Sequence, residues 1–132
     1  MAKAGGITTE ALYPYDTTTS YCDRSKNDYV MTVTMSYRVD GEQAMINKVL
    51  SGKTLSVSID ANNLGPYKSG VYRGCSSNYN VNHAVNIVGV NVEEGYWIIR
   101  NSWGSWWGDK GYMKLGMVRG AHHSQMKLLY NC

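Results

Sequence analysis

Two apolar runs in the second half of the chain constrain the fold more than any other feature. The runs are HAVNIVGVNV, which starts at His83, and YWIIRNSW, which contains Asn101, and the residues EEG separate them. Both runs are rich in β-branched and aromatic residues, which favour strands, and so short a connection joins antiparallel neighbours. The sequence therefore predicts a β-hairpin whose open end brings His83 and Asn101 close together.

Strand and turn signals also fill the rest of the chain from Thr54 onward. The further strand-type runs are TLSVSIDA, GYMKLGM and QMKLLYN, and NNLGPYKSG is punctuated by Gly and Pro. The chain has eleven Tyr and four Trp but no Phe, so its core must rely on Val, Ile, Leu and Met. We expect an α+β fold in which a mainly antiparallel, curled and barrel-like sheet carries one packed helix, within a single domain over residues 1–132.

The helix with the clearest start and stop signals is EQAMINKVL. Asp40 is suited to be its N-cap, and Gly52 is suited to end it. Its predicted buried face consists of Ala44, Met45, Ile46 and Val49. Nearer the N-terminus, ITTEALYPYD predicts a short helix and YVMTVTMSY predicts a strand.

Composition and charge exclude several classes of function. Thirteen basic and ten acidic residues give a net charge of +3 without a run of like charge, so nucleic acid is not an expected partner. No apolar stretch approaches the roughly 20 residues that span a bilayer, and MAKAGG lacks the apolar centre of a secretory signal. The three cysteines show no CxxC pair and no histidine spacing suited to zinc. We expect no metal, no cofactor and no membrane segment.

His83 and Asn101 carry a chemical meaning together that neither has alone. A single histidine on an apolar strand is usually structural, and an asparagine at a strand end is usually a turn former. An amide oxygen beside an imidazole N–H, however, fixes the tautomer and orientation of the ring, as the third member of a catalytic triad does. Trp103 is placed to cover that hydrogen bond from water. This arrangement suits a base that serves a thiol nucleophile.

Two blocks of the sequence, NHAVNIVGV and GYWIIRNSWGSWWGDKGYMKL, resemble the histidine and asparagine signatures of papain-like cysteine peptidases. The asparagine block matches the family spacing at Asn101, Ser102, Trp103, Gly104, Trp107, Gly108, Gly111 and Tyr112. The segments GGITTEALYPYD, TLSVSIDA and YKSGVYRGC extend the resemblance over roughly residues 5 to 117. The resemblance implies the right-hand, β-rich domain of that family.

The same resemblance implies a role for each matching residue. His83 would be the general base and the imidazolium partner of a thiolate, oriented by Asn101 and shielded by Trp103. Trp107 would line the leaving-group side of the cleft. The positions that match the pocket for the substrate side chain two residues from the scissile bond are Ala61, Val81 and Asn82, and the small apolar pair among them would favour an aliphatic or aromatic side chain.

The cysteines mark where this sequence departs from the family pattern. Nothing in it resembles the segment with the nucleophilic cysteine or the glutamine that donates to the oxyanion. By resemblance, Cys22 matches a disulfide cysteine whose mate lies in the first domain, so it would be bridged to that half or free. Cys75 matches a cysteine that bridges towards the C-terminus, which makes Cys132 its candidate partner. The adjacent residues His122 and His123 are expected to be solvated.

Three functional hypotheses follow. The first is part of a cysteine endopeptidase that acts on peptides or proteins and is inactive until a missing N-terminal, Cys-bearing domain docks. The second is a non-catalytic homologue that binds peptides or proteins, or self-associates, through the exposed half-cleft. The third, a carbohydrate-binding module, has support from aromatic content alone. The family resemblance implies a secreted, lysosomal or vacuolar location.

Overall fold

A computed structural model describes residues 5–33, 35, 37–74 and 80–117. The chain divides after Arg38 into two compact units, and the single domain expected over residues 1–132 stays a prediction. The second unit, which begins at Val39, contains every described residue of the predicted site.

Within its described residues, the N-terminal unit shows neither of the two elements that were predicted there. The segment ITTEALYPYD forms a turn, in which the Tyr13 amide donates to the Thr9 carbonyl, because a helix this short and closed by a proline is not stable on its own. The segment YVMTVTMSY is not a strand in its described residues. It makes a bridge at Met31 with Ile7, and a strand needs a longer ladder than that.

Helix α1 spans Glu42–Leu50. Its N-cap is Gly41 rather than the predicted Asp40, and no side-chain cap bond closes it. The C-terminus follows the prediction: Gly52 has a φ of 79° and donates to the Val49 carbonyl, and the next amide donates to the carbonyl of Lys48, as in a Schellman motif. The buried residues are Met45, Ile46 and Val49, whereas Ala44 is exposed.

In the part of the chain that the structure describes, five strands form one sheet. They are β1 (Leu55–Ile59), β2 (Val71–Tyr72), β3 (His83–Asn91), β4 (Tyr96–Arg100) and β5 (Tyr112–Gly116), in the order β1-β3-β4-β5-β2. The pairs among β1, β3, β4 and β5 are antiparallel, but the short β2 pairs parallel with β5. The α+β class is confirmed, while the predicted barrel-like closure is absent among the described strands. QMKLLYN, predicted as the last strand, lies outside the described residues.

The core lies on the face of the sheet that α1 covers. Aliphatic side chains form most of it, and two tryptophans, Trp97 and Trp107, are each 1% exposed. Besides Trp97, the fully buried residues of the strands are Val57, Ile87, Ile99 and Met113, together with Ser58. This composition agrees with the expectation that a chain without Phe fills its core with branched aliphatic residues and Met.

Candidate functional site

A bulge in β3 determines which face of the sheet Asn101 reaches. Near the turn, Gly89 pairs with Ile98, but beyond the bulge at Val88 the register shifts by one residue, so that Ile87 pairs with Ile99. If the two strands kept the register that they have near the turn, Asn101 would lie opposite the exposed Asn86. Because side chains alternate along a strand, Asn101 would then lie on the face of the sheet opposite to His83.

The structure brings His83 and Asn101 together. His83 Nε2 lies 2.8 Å from Asn101 Oδ1, and the backbone amide of Ser102 donates to the same oxygen at 2.8 Å. Because a backbone N–H can only donate, the amide atom facing it must be the oxygen, so His83 Nε2 must carry a proton. The neutral ring therefore keeps Nδ1 as its free base. Asn101 Nδ2 is buried without a hydrogen-bond partner in the described chain, so the amide oxygen alone fixes this orientation.

Trp103 covers the imidazole. The rings of His83 and Trp103 are stacked, with centroids 4.9 Å apart and planes 29° apart, and both side chains are half-buried. A stacked indole excludes water from one side of the ring, which strengthens the hydrogen bond to Asn101.

Trp107 is buried in the core beside Trp103. Its side chain is 1% exposed, its Nε1 donates to the Leu64 carbonyl at 3.0 Å, and its ring meets Trp103 edge-on at 5.1 Å. The hydrogen bond to Leu64 holds the indole in the core. Trp107 therefore supports Trp103, and its implied place on the leaving-group side of the cleft stays a prediction. The neighbouring Trp106 is instead the exposed indole, at 74%.

A polar clamp joins the segment after β1 to the segment before His83. Asn82 Oδ1 accepts from the Ala61 amide at 2.9 Å, and Asn82 Nδ2 donates to Asn62 Oδ1 at 3.0 Å. The Asp60 carboxylate accepts from the amides of Asn62 at 3.0 Å and Asn80 at 2.9 Å. Ala61 and Val81, the predicted pocket residues, flank this clamp and are half-buried. No local sequence pattern indicates Asp60, because its role depends on a contact between residues 20 positions apart.

The hydrogen bonds of the clamp predict that Asp60 stabilises the folded state to an extent that depends on pH. Hydrogen bonds from the backbone amides of Asn62 and Asn80 hold the pKa of this carboxyl below its usual value of 3.8, against the opposing effect of desolvation. A lowered folded-state pKa means that the stabilisation is complete above pH 3.8 and is lost as the pH falls through the lower, folded value.

We expect the backbone amide signals of Asn62 and Asn80 to titrate together in NMR spectra of the chain, at a pH below the usual carboxyl value, and Asp60→Asn to abolish that titration. Asp16, whose pKa is lowered to about 2 by hydrogen bonds from Thr18 and Thr19, belongs to the other unit, so Asp16→Asn is the matched control. Titration of both amides at the ordinary pKa would contradict the prediction.

Of the cysteines and adjacent histidines singled out in the sequence, Cys22 alone lies within the described part of the chain. Cys22 is exposed and free, whereas Cys75, Cys132, His122 and His123 lie outside the described residues, so the proposed Cys75–Cys132 bridge stays a prediction. The described part of the chain contains no group of three or more His, Cys, Asp or Glu side chains able to hold a metal ion. Within the same residues, no helix has the length and apolar character needed to cross a membrane.

The second unit is thus an α+β domain that holds an asparagine-oriented histidine beneath a tryptophan. Residues 1–130 match the family model described as papain family cysteine protease. The chain is 41% identical over 122 residues to the KDEL-tailed cysteine endopeptidase CEP2 of Arabidopsis thaliana, covering 87% of this chain and 33% of that protein. It is 36% identical over 119 residues to the viral cathepsin of Choristoneura fumiferana nuclear polyhedrosis virus, covering 87% of this chain and 36% of that protein.

Solved structures give the same result. The bromelain protease from Ananas comosus, in complex with the inhibitor E64, superposes with a TM-score of 0.75 and 31% identity, over 91% of this chain and 58% of that one. The chain belongs to the papain family of cysteine proteases. It spans about a third of the length of the curated relatives that it matches.

Proposed function

We propose that this chain supplies the base half of a papain-type cysteine endopeptidase. In the proposed reaction, His83 Nδ1 takes the proton of a cysteine thiol, the thiolate attacks the peptide carbonyl, and the imidazolium returns the proton to the leaving amine. Asn101 holds the ring in the tautomer that leaves Nδ1 free. The observation that carries this proposal is the 2.8 Å contact between His83 Nε2 and Asn101 Oδ1 beneath Trp103.

The nucleophile would come from a separate, Cys-bearing half. Of the three cysteines in the sequence, Cys22 lies in the first unit and is exposed, and it does not stand at the N-terminus of a described helix, where a catalytic thiol is activated. Cys75 and Cys132 match no nucleophile segment of the family. The chain would therefore be inactive alone and active when docked to the missing half, with peptides or proteins as substrates.

The half-buried, small side chains of Ala61 and Val81 support a preference for an aliphatic or aromatic substrate residue at the pocket they would line. The family resemblance also supports a secreted, lysosomal or vacuolar location.

The non-catalytic alternative is less favoured. It relied on a surface formed by Trp103 and Trp107 together, and Trp107 is 1% exposed. A smaller apolar surface remains around Trp103 and Trp106, and size-exclusion chromatography with and without peptide would reveal peptide binding or self-association there.

A thiol-directed epoxide probe tests the proposal. The full chain, carrying Cys22→Ser to remove the exposed thiol, is expected to show no labelling that depends on His83. After refolding together with the Cys-bearing half of bromelain, stoichiometric labelling is expected on that half. Labelling should be lost when His83→Ala is used in the mixture, because the thiolate then has no imidazolium partner.

Two results would contradict the proposal. One is stoichiometric, His83-dependent labelling of the isolated chain, which would place the nucleophile within it. The other is a stable mixed complex, seen by size-exclusion chromatography, whose labelling is the same with and without His83.

A further inference from the structure

Tyr67 is a buried tyrosine in the loop between β1 and β2, and its hydroxyl both donates and accepts a hydrogen bond. Its Oη donates to the Gly70 carbonyl at 2.7 Å and accepts from the Lys114 amide at 3.1 Å. The side chain is 8% exposed. The two hydrogen bonds therefore tie this loop to strand β5 and leave the ring little freedom to move.

The ring of Tyr67 begins a series of four rings, joined by three contacts, that ends at His83. Its centroid is 5.5 Å from that of Trp107, whose ring is 5.1 Å from Trp103, which stacks on His83 at 4.9 Å. We call Tyr67, Trp107, Trp103 and His83 the aromatic column. Because aromatic contacts have preferred geometries, displacing one ring shifts the next.

The backbone beside the column is adapted to Tyr67. A Cβ added at Gly108 would lie 3.2 Å from Tyr67 Cδ1 and 2.5 Å from the Tyr112 carbonyl oxygen, and Gly108 has a φ of 60°. A glycine at this position lets the tyrosine ring approach the chain directly after Trp107. The close approach between Gly108 and the Tyr67 ring is independent evidence that the surrounding backbone fixes the position of this ring.

We infer that Tyr67 is a positioning residue for His83. Its hydroxyl is held between the Gly70 carbonyl and the Lys114 amide, so the Tyr67 ring has a fixed position against Trp107. Trp107 in turn fixes the position of Trp103, which stacks on the imidazole. The expected effect of Tyr67 on kcat rests on the proposed function, whereas its expected effect on the His83 ring does not. Tyr67 contacts neither His83 nor a substrate, so it acts through the two tryptophans.

The tautomer of His83 reports directly on this role. In the full chain with ¹⁵N-labelled histidine, the wild-type neutral ring is expected to show the Nε2–H form, with two well-separated ring nitrogen signals. Tyr67→Phe retains the ring but loses both hydroxyl contacts, so Trp103 loosens and the two signals are expected to move towards their average. Tyr67→Leu, which also removes the ring contact with Trp107, is expected to move them further.

Tyr96→Phe is the matched control. Tyr96 is 7% exposed, and its hydroxyl accepts from Asn91 Nδ2 at 3.4 Å, beside the hairpin turn and outside the column. Its loss is expected to leave the His83 signals unchanged. Unchanged signals in Tyr67→Phe, or equal changes in Tyr67→Phe and Tyr96→Phe, would overturn the inference, since the hydroxyl would then serve stability alone. Should Tyr67→Leu not fold, Tyr67→Phe still decides between these outcomes.

Kinetics of the enzyme reconstituted with a Cys-bearing half provide the second readout. Tyr67→Phe is expected to lower kcat roughly tenfold with little change in KM, because a small misplacement of a catalytic group slows chemistry without weakening substrate binding. A reconstituted wild type without activity would count against the proposed function, while the tautomer measurement would still test Tyr67.

Discussion

Replacing His83 by alanine is expected to lower kcat/KM for a peptide substrate by about 10³-fold or more in the reconstituted enzyme. In the proposed mechanism the loss would have two sources: the thiol would lose the base that takes its proton, and the leaving amine would lose the acid that protonates it. KM should change little, because His83 would act on the reacting atoms and not on the bound side chains. Hydrolysis of a fluorogenic peptide, measured under single-turnover and steady-state conditions, provides both constants.

Asn86→Ala is the control for this measurement. Asn86 lies on β3, as His83 does, but on the opposite, exposed face. Its replacement should leave kcat/KM within about twofold of the wild-type value, as is usual for an exposed position away from the site. If His83→Ala retained more than about a tenth of the activity while its complex remained intact, another group would have to be the base.

Trp107→Ala is expected to reduce the free energy of unfolding by about 4 kcal/mol, because it removes a fully buried indole and leaves a cavity. The side chain is 1% exposed and its Nε1 bonds to the Leu64 carbonyl, so that carbonyl would lose its partner as well. Domains of this size are stable by only about 5–15 kcal/mol. A loss of this size would leave much of the population unfolded at moderate urea concentrations, which circular dichroism would detect.

The preceding residue, Trp106, provides the matched control for this measurement. Trp106 has the same side chain and stands beside Trp107, but it is 74% exposed. Trp106→Ala should change the free energy of unfolding by no more than about 0.5 kcal/mol. Equal losses for the two variants would show that Trp107 is not in the core, and the aromatic column would lose its central member.

The sequence predicted the second unit well and the first one poorly. The hairpin, the helix that ends before Gly52 and the strand at Tyr112–Gly116 depend on local patterns of apolar residues and turn residues, which the structure retains. The helix predicted in ITTEALYPYD and the strand predicted in YVMTVTMSY have similar local patterns. Neither is present in the described residues of these segments, because a short helix or a lone strand is stabilised by its neighbours and not by its own residues.

Side-chain burial was a second feature that the sequence left open. The resemblance matched Trp107 to a family tryptophan, but it could not show that a hydrogen bond to Leu64 holds this indole inside the core. Asp60 and Tyr67 were missed for a related reason. Their partners, Asn80 and Lys114, lie 20 and 47 residues away in sequence, and no local motif connects such positions.

The sequence by itself determined that His83 and Asn101 lie at the same end of one hairpin, because the short turn and the two strand-type runs allow no other pairing. It did not determine that the two side chains share a face. The tertiary structure decided that through the bulge at Val88, where one unpaired residue changes the register. Strand side chains alternate with a period of two, so a single inserted residue is enough to turn Asn101 towards the imidazole.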